Sequence, residues 1–126
     1  MHPFRAAVEA RDAEAAAAVL DNDVVFSSPI VFKPYAGRDA AAAVLAAALR
    51  VFEDFAYETE LASEDGRNHA LMFRARVNGR EIQGCDFLRD AEDGRVDQLT
   101  VMVRPLSAAL ALRDRMAAQL DAPGAS

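Results

Sequence analysis

The sequence predicts one α+β domain in which an antiparallel β-sheet packs against N-terminal helices. Apolar residues recur every three or four positions in much of the first part of the chain, which indicates helices, whereas from about residue 55 they alternate with polar residues, which indicates strands. Glycine-containing turns divide that second region into hairpins. A length of 126 residues suits a single domain spanning 1–126, because domains usually hold about 100–200 residues. We expect its ordered core to span about residues 3–120, followed by a frayed tail.

The first segments are predicted to be two helices and a strand. The first twenty residues are rich in alanine, with Pro3 at a tolerated first-turn position and Asp12 able to begin a second short helix. The short β-branched segment 23–28 predicts a strand, which Pro29 ends.

A loop, a third helix and a run of strands follow. The loop over 30–37 contains proline and ends in glycine, and the apolar stripe over 38–52 predicts a helix. Alternating residues then predict four strands, and Pro105 separates the last strand from a terminal helix. The strands are predicted over 55–61, with Phe55, Tyr57, Thr59 and Leu61 alternating, and over 69–77, 80–90 and 96–104; the helix is predicted over 106–120.

Composition excludes several classes of partner. Lysine and arginine total 14 against 20 aspartates and glutamates, so the net charge is −6, and no segment concentrates the basic residues. We therefore expect no nucleic-acid partner, because phosphate binding requires a basic stripe. We also expect no membrane partner, because charged residues interrupt each apolar run before the roughly 18 residues of a membrane span. The amino terminus lacks the apolar run of a secretion signal, which favours a cytoplasmic protein.

Cysteine and histidine usage argues against a metal centre. Cys85 is the single cysteine, which excludes an internal disulfide and a cysteine-based metal cluster. The two histidines, His2 and His69, lie far apart in the sequence and form no zinc motif. We therefore expect neither a metal nor an organic cofactor.

The turn at Asn78-Gly79 sets the register of the two central strands. A two-residue turn there brings Leu71 opposite Asp86. Because side chains alternate across a sheet, Asp86 lies on the apolar face, where lost hydration raises the pKa of a carboxyl toward values useful for proton transfer. Its predicted neighbours on this face are Leu71, Phe73, Ala75, Ile82 and Gly84, joined by Leu99, Val101 and Val103 of the last strand.

Asp86 and His69 are the candidate catalytic residues. The register places His69 on the same face, one pair further from the turn on the neighbouring strand, at about 7 Å between backbones. The alternatives are a structural Asp86 satisfied by backbone donors or by His69, and a His69 that is merely solvated. The candidate ligand contacts are Ser28, Phe32, Tyr35, Phe73, Leu99 and Val101. For Ser28 the alternative is a role in a turn, and for the two aromatic residues of the loop it is packing at a pocket rim.

Four short stretches carry a family resemblance: FKPYAGRDA at 32–40, GCDFL at 84–88, DGRV at 93–96 and RPL at 104–106. Together with the order of the elements, they resemble the SnoaL-like, polyketide-cyclase-like branch of the nuclear-transport-factor-2-like superfamily, over about residues 4–120. The resemblance implies a cystatin-like fold: a cone-shaped, curved antiparallel sheet packed around N-terminal helices, with a deep pocket. It also implies that Asp86 takes the place of the protonated oxyanion-hole aspartate of ketosteroid isomerase, and of the acid–base aspartate of SnoaL-type cyclases.

The chain departs from these relatives at several positions. Ser28 stands where the isomerase has its general-base aspartate, and residues 4–20 contain no tyrosine for the oxyanion hole. Residues 99–103 lack the second aspartate of limonene epoxide hydrolase. Neither activity is therefore carried over, whereas His69 and Asp86 could meet the histidine-plus-aspartate arrangement of the cyclases.

Two functions of different classes remain open, so the sequence leaves enzyme status undecided. The first is a cofactor-independent isomerase, cyclase or hydrolase that uses acid–base chemistry on a small apolar molecule bearing a carbonyl. The second is a non-catalytic ligand-binding or accessory domain of the same fold. We also expect a homodimer through the outer sheet face, because an apolar face is unfavourable on a monomer. The residues expected on that face are Met72, Cys85, Phe87, Thr100 and Met102.

Overall fold

The computed structural model describes residues 1–120, and the expected frayed tail lies outside the described residues. The described part of the chain has the predicted α+β architecture, with one additional two-residue strand in the loop after β1. The elements are α1 (Pro3–Glu9), α2 (Ala13–Ala18), β1 (Leu20–Ser27), β2 (Tyr35–Ala36), α3 (Arg38–Val51), β3 (Glu53–Ala62), β4 (Asn68–Val77), β5 (Arg80–Asp90), β6 (Val96–Arg104) and α4 (Leu106–Leu120).

The break between the first two helices occurs where capping predicts it. The side chain of Asp12 accepts a hydrogen bond from the backbone N–H of Ala15 at 3.0 Å, which satisfies one of the free donors at the start of α2. Arg11, with a φ of 55°, makes the preceding turn. Strand β1 begins at Leu20, earlier than the predicted start, because Leu20 pairs with Val96 at the start of β6.

The strands form one curved sheet in the order β2-β1-β6-β5-β4-β3. Adjacent strands in this sheet pair antiparallel, with the exception of β1 and β6, which run parallel. The prediction of an antiparallel sheet is therefore correct for the strands from β3 to β6, and the sheet as a whole is mixed. A parallel pair requires a long crossover connection. Helix α3 and the three strands that follow it supply this connection between β1 and β6.

The predicted register of the central hairpin is confirmed. Val77 pairs with Arg80 beside the turn, and Leu71 pairs with Asp86. On its other side, Asp86 pairs with Val101 of β6. The turn residue Asn78 has a φ of 53° and Gly79 one of 77°, which is the left-handed backbone that a two-residue hairpin turn requires.

Strand β3 departs from strict alternation. Tyr57 pairs with Phe73, but after an irregularity Glu60 pairs with Leu71, so these two β3 residues face the same side although they are three positions apart. Leu61 is consequently 61% exposed rather than on the inner face with Tyr57. A bulge of this kind leaves little trace in a hydropathy pattern.

The helices cover the inner face of the sheet and bury the core against it. Phe4, Leu20, Leu71, Phe73 and Leu99 are among the largest fully buried side chains. None of the helices within residues 1–120 combines the length and the apolar character that crossing a membrane requires.

Candidate functional site

A cavity of about 320 Å³ lies between the inner face of the sheet and the helices. This volume is at the lower end of the range of about 300–1,000 Å³ that small-molecule sites occupy. Apolar side chains make up most of its wall, and its polar or charged side chains are those of Ser28, Tyr35, Tyr57, Asp86 and Arg113.

Asp86 provides the one carboxyl group among the described residues that line this cavity. Its position on β5 directs the side chain inward, and it is only 7% exposed. Burial among apolar neighbours raises the pKa of Asp86 to about 7, because the charged form loses its hydration. Near neutral pH the carboxyl therefore populates both its neutral and its ionised form.

Tyr57 is the hydrogen-bond partner of this carboxyl. Its hydroxyl donates to Oδ2 of Asp86 at 2.7 Å in a buried contact. This hydrogen bond stabilises the ionised form and so opposes part of the rise in the pKa of Asp86. Burial, and then the negative charge of Asp86, raises the pKa of Tyr57, so the phenol keeps its proton and remains a donor.

Three phenylalanines support Tyr57 from the cavity side. Phe55 meets Tyr57 edge to face, with ring centroids 4.9 Å apart, and stacks on Phe73 at 4.8 Å. Phe52 packs edge to face on Phe73 at 5.5 Å. Such offset and edge-to-face contacts restrict ring orientation. The Tyr57 ring therefore packs at the edge of a cluster of three phenylalanine rings.

The structure brings four of the six candidate ligand contacts to the cavity, namely Ser28, Tyr35, Phe73 and Val101. The hydroxyl of Ser28 also accepts hydrogen bonds from the backbone of Ile30 at 3.3 Å and Val31 at 3.1 Å, which is the turn role given as its alternative.

Two candidate ligand contacts are placed elsewhere. Phe32 is fully exposed, because the loop after β1 turns its side chain outward beside a shallow groove on β6. Leu99 faces inward as predicted but is completely buried in the core and does not line the cavity. A loop side chain lacks the alternation that orients a strand, so the sequence does not predict that Phe32 faces away from this cavity.

His69 does not contact Asp86. Its Nε2 lies 2.9 Å from Oδ2 of Asp90, and His69 is not among the residues that line the cavity. Nε2 of His2 lies 3.0 Å from the other oxygen of the same carboxylate, and the two imidazole rings are 4.6 Å apart. The interpretation of His69 and Asp86 as a cyclase-like pair is therefore corrected: His69 belongs to a His2–Asp90–His69 cluster at the end of the sheet.

The His2–Asp90–His69 cluster has metal-ligand residue types, with ligand atoms within 4.8 Å of one another. Nδ1 of His2, however, accepts a hydrogen bond from the backbone N–H of Phe4 at 3.0 Å, where it caps α1. The proton of a neutral His2 must then be on Nε2, the atom that a metal would need as a lone-pair donor. The cluster therefore fits a hydrogen-bonded helix cap better than a metal site.

Comparison with known proteins identifies the family. A family model for the SnoaL-like domain matches residues 2–99. The crystal structure of a steroid delta-isomerase from Pseudomonas aeruginosa is 42% identical, with a TM-score of 0.92 over 98% of this chain and 90% of that one. An uncharacterized protein with a cystatin-like fold from Silicibacter pomeroyi is 33% identical, with a TM-score of 0.88 over 95% of this chain and 86% of that one.

More distant structures share the fold alone. The epoxide hydrolase/cyclase-like enzyme SalBIII, of pyran ring formation in salinomycin, is 15% identical, with a TM-score of 0.68 over 83% of this chain and 87% of that one. A search of the curated proteins found no significant match. From the extent of the family match and the identity to the first two structures, the chain belongs to the SnoaL-like domain family.

Proposed function

We propose that this protein is a cofactor-independent isomerase or cyclase that applies acid catalysis to a small apolar molecule bearing a carbonyl. The observation that carries the proposal is the Tyr57–Asp86 hydrogen bond at the wall of an otherwise apolar cavity. An apolar wall favours an apolar ligand, and a carboxyl that is neutral for part of the time can donate to its carbonyl oxygen.

The proposed reaction begins with proton donation from Asp86 to the carbonyl oxygen. The π electrons of the carbonyl move onto that oxygen, and the activated carbonyl carbon either promotes loss of a proton from its neighbour or accepts a nucleophile from the same molecule. The proton released in either route returns to the carboxylate of Asp86. In the isomerase route the resulting enol is then protonated by Asp86 at the far carbon of its conjugated system, and its O–H proton passes back to the carboxylate, which gives the isomeric ketone. Meanwhile that carboxylate accepts the hydrogen bond of Tyr57, which stabilises its charge.

The comparison with the steroid delta-isomerase supports the isomerase alternative. That protein is 42% identical over nearly all of this chain, and a fused-ring ketone is the kind of apolar molecule that the cavity wall suits. The likeness to SalBIII supports only the shared fold, so the cyclase alternative depends on the chemistry of Asp86 itself.

A non-catalytic binding function is the second candidate. The described cavity residues include one carboxyl, and Ser28 stands where ketosteroid isomerase has its general-base aspartate. A pocket with one donor pair can hold a carbonyl compound by a hydrogen bond without turning it over. In that case Asp86 and Tyr57 orient the ligand and no proton is exchanged.

A homodimer through the outer sheet face is proposed as the working assembly. Phe87 is 42% and Met102 59% exposed on this face, although both are large and apolar. Cys85 pairs with Met102, and Phe87 pairs with Thr100, so these side chains lie in adjacent rows of one surface. Covering that surface with a second copy removes it from water.

Turnover in deuterated buffer tests the function. The wild-type protein, Asp86→Asn and the control Asp97→Asn are incubated with a β,γ-unsaturated ketosteroid and, separately, a saturated steroid ketone. NMR measures deuterium entering the carbon beside the carbonyl, and near-ultraviolet absorbance measures the conjugated product. Asp97 is a suitable control because it pairs with Arg89 at 2.9 Å and is not a cavity residue.

We expect catalysed exchange or isomerisation that falls about 100-fold or more in Asp86→Asn and is unchanged in Asp97→Asn. Ligand binding without exchange in the wild type would support the binding function instead. Catalysis that survives Asp86→Asn would contradict the assignment of the acid.

A further inference from the structure

Arg5 of α1 lies on the face of Tyr57, the residue that holds Asp86. The guanidinium carbon is 5.7 Å from the centroid of the Tyr57 ring, within the distance of about 6 Å at which a cation is attracted to the π-face. Tyr57 is thus contacted by the Phe55 ring in a T-shaped arrangement, by Asp86 at its hydroxyl, and by Arg5 on its face.

Two glutamates hold the guanidinium in this place. Nη1 of Arg5 donates to Oε1 of Glu60 at 3.1 Å, and Nε lies 3.4 Å from Oε2 of Glu9, one turn further along α1. Glu60 itself is fixed, because its Oε2 accepts the backbone N–H of His2 at 3.0 Å. The bulge in β3 allows this anchor, since without it Glu60 and Tyr57 would point to opposite faces of the sheet.

Arg5 pairs with Glu9 without a hydrogen bond of good geometry. Its Nε is buried and makes no hydrogen bond among the described residues, although the Glu9 carboxylate is only 3.4 Å away. A surface arginine free to optimise its salt bridges would use this N–H. The contact with Tyr57 and the bond to Glu60 together account for the observed placement.

We infer that Arg5 is a positioning residue: its guanidinium, held by Glu60 and Glu9, keeps the Tyr57 ring in the orientation that directs the hydroxyl at Asp86. The inference rests on the proposed function, because it assigns Arg5 to the same site. A cation on the π-face also draws electron density from the ring and makes the phenol a stronger donor. Both effects strengthen the hydrogen bond that favours the ionised form of Asp86.

Several charged groups surround the Tyr57–Asp86 pair, so the test must separate the contact of Arg5 with the ring from its charge. Tyr57 faces Arg5 and Glu9 from α1 and Asp86 from β5, while Glu60 lies on its own strand. Removing Arg5 takes away both a long-range charge and a ring contact. Arg11 provides the matched control, because it lies in the turn just after α1 and binds the carbonyl oxygen of Leu49 rather than an aromatic ring.

The experiment is a carbon-detected NMR titration of the Asp86 carboxyl in the ligand-free protein. We expect Arg5→Gln to raise the pKa of Asp86 by about half a unit above that of Arg11→Gln. Arg5→Met, which keeps an apolar side chain on the ring and protects folding, is expected to give the same rise, and Arg5→Lys a smaller one. In a Tyr57→Phe background, Arg5→Gln and Arg11→Gln are expected to give the same pKa for Asp86.

Folded Arg5 variants whose Asp86 pKa matches that of Arg11→Gln would overturn the inference and leave Arg5 as a structural anchor of α1. The same conclusion would follow if Arg5→Gln raised the pKa of Asp86 by as much in the Tyr57→Phe background as in the wild type. Because no ligand is present, these results do not depend on turnover. A failed turnover assay with a shifted pKa would thus reject the catalytic proposal while keeping Arg5 as the residue that positions Tyr57.

Discussion

The hydroxyl of Tyr57 on β3 reaches across β4 to donate to Oδ2 of Asp86 on β5, at 2.7 Å. The two residues are not partners in adjacent strands, since Tyr57 pairs with Phe73 and Asp86 pairs with Leu71. The long phenol side chain spans the intervening strand along the inner face. This contact couples the only cavity carboxyl among the described residues to a donor that keeps its proton.

Tyr57→Phe is expected to raise the pKa of Asp86 above 7. The hydrogen bond favours the ionised carboxyl, and its loss leaves burial unopposed. NMR titration of Asp86 measures the change. Tyr35→Phe serves as the control, because Tyr35 also lines the cavity but packs on Phe26. A pKa of Asp86 that falls in Tyr57→Phe would contradict the assigned role of the hydrogen bond.

Asp86→Asn is expected to change how stability depends on pH. Because the pKa of Asp86 is raised in the folded state, the folded protein binds this proton more tightly than the unfolded chain. The associated stability is fully present below pH of about 4 and is lost as pH rises toward 7, by about 4 kcal/mol at most, because folding raises the pKa of Asp86 from its ordinary value to about 7. Urea unfolding across this range measures it.

The asparagine variant should lack this loss of stability between pH of about 4 and 7. Asp97→Asn provides a control, because the Asp97–Arg89 pair makes stability depend on pH in the opposite direction. Arg89 lowers the pKa of Asp97, so the stability from that pair is lost as pH falls. Parallel stability curves for wild type and Asp86→Asn would show that the carboxyl is not perturbed.

Gly84→Ala is expected to destabilise the protein by about 1–3 kcal/mol. A Cβ at position 84 would overlap the Phe73 ring, which lies over this glycine, and would come within 2.8 Å of the carbonyl oxygen of Met102. Thermal or urea unfolding measures the loss. Adding Phe73→Leu should recover part of it by shortening the side chain that clashes. An unchanged unfolding free energy would show that Phe73 moves aside at no cost.

Met102→Glu and Phe87→Glu are each expected to convert the proposed dimer into a monomer. A charge in the middle of an apolar interface loses its hydration when the interface forms. Light scattering should give twice the chain mass of 13.6 kDa for the wild type, and the chain mass for either variant. Leu106→Glu on α4 is the control at an exposed apolar residue away from this face. A wild-type monomer at micromolar concentration would refute the dimer.

Sequence reasoning located Asp86 because local chemistry sets its register. The Asn78-Gly79 turn permits one pairing, and alternation then carries the inward orientation from the turn to Asp86. The bounds of β5, β6 and α4 also agree with their predictions, because turns or Pro105 delimit each of them.

Tyr57 was not predicted as a site residue, although it was assigned to a strand. Residues 63–67 join β3 to β4 with no two-residue turn to set the register, and irregularities in β3 interrupt its alternation. The His2–Asp90–His69 cluster is equally non-local, since it depends on where α1 docks against the sheet. Contacts of this kind arise from tertiary packing, which a pattern along one chain does not contain.

The central claim is that Asp86 is an acid made available at neutral pH by its apolar cavity. A carbon-detected NMR titration of the wild-type protein, with the Asp86 carboxyl assigned by its loss in Asp86→Asn, tests it most directly. The account predicts a pKa of about 7 for Asp86. A pKa at or below about 3.9, the ordinary value for an exposed aspartate, would contradict it.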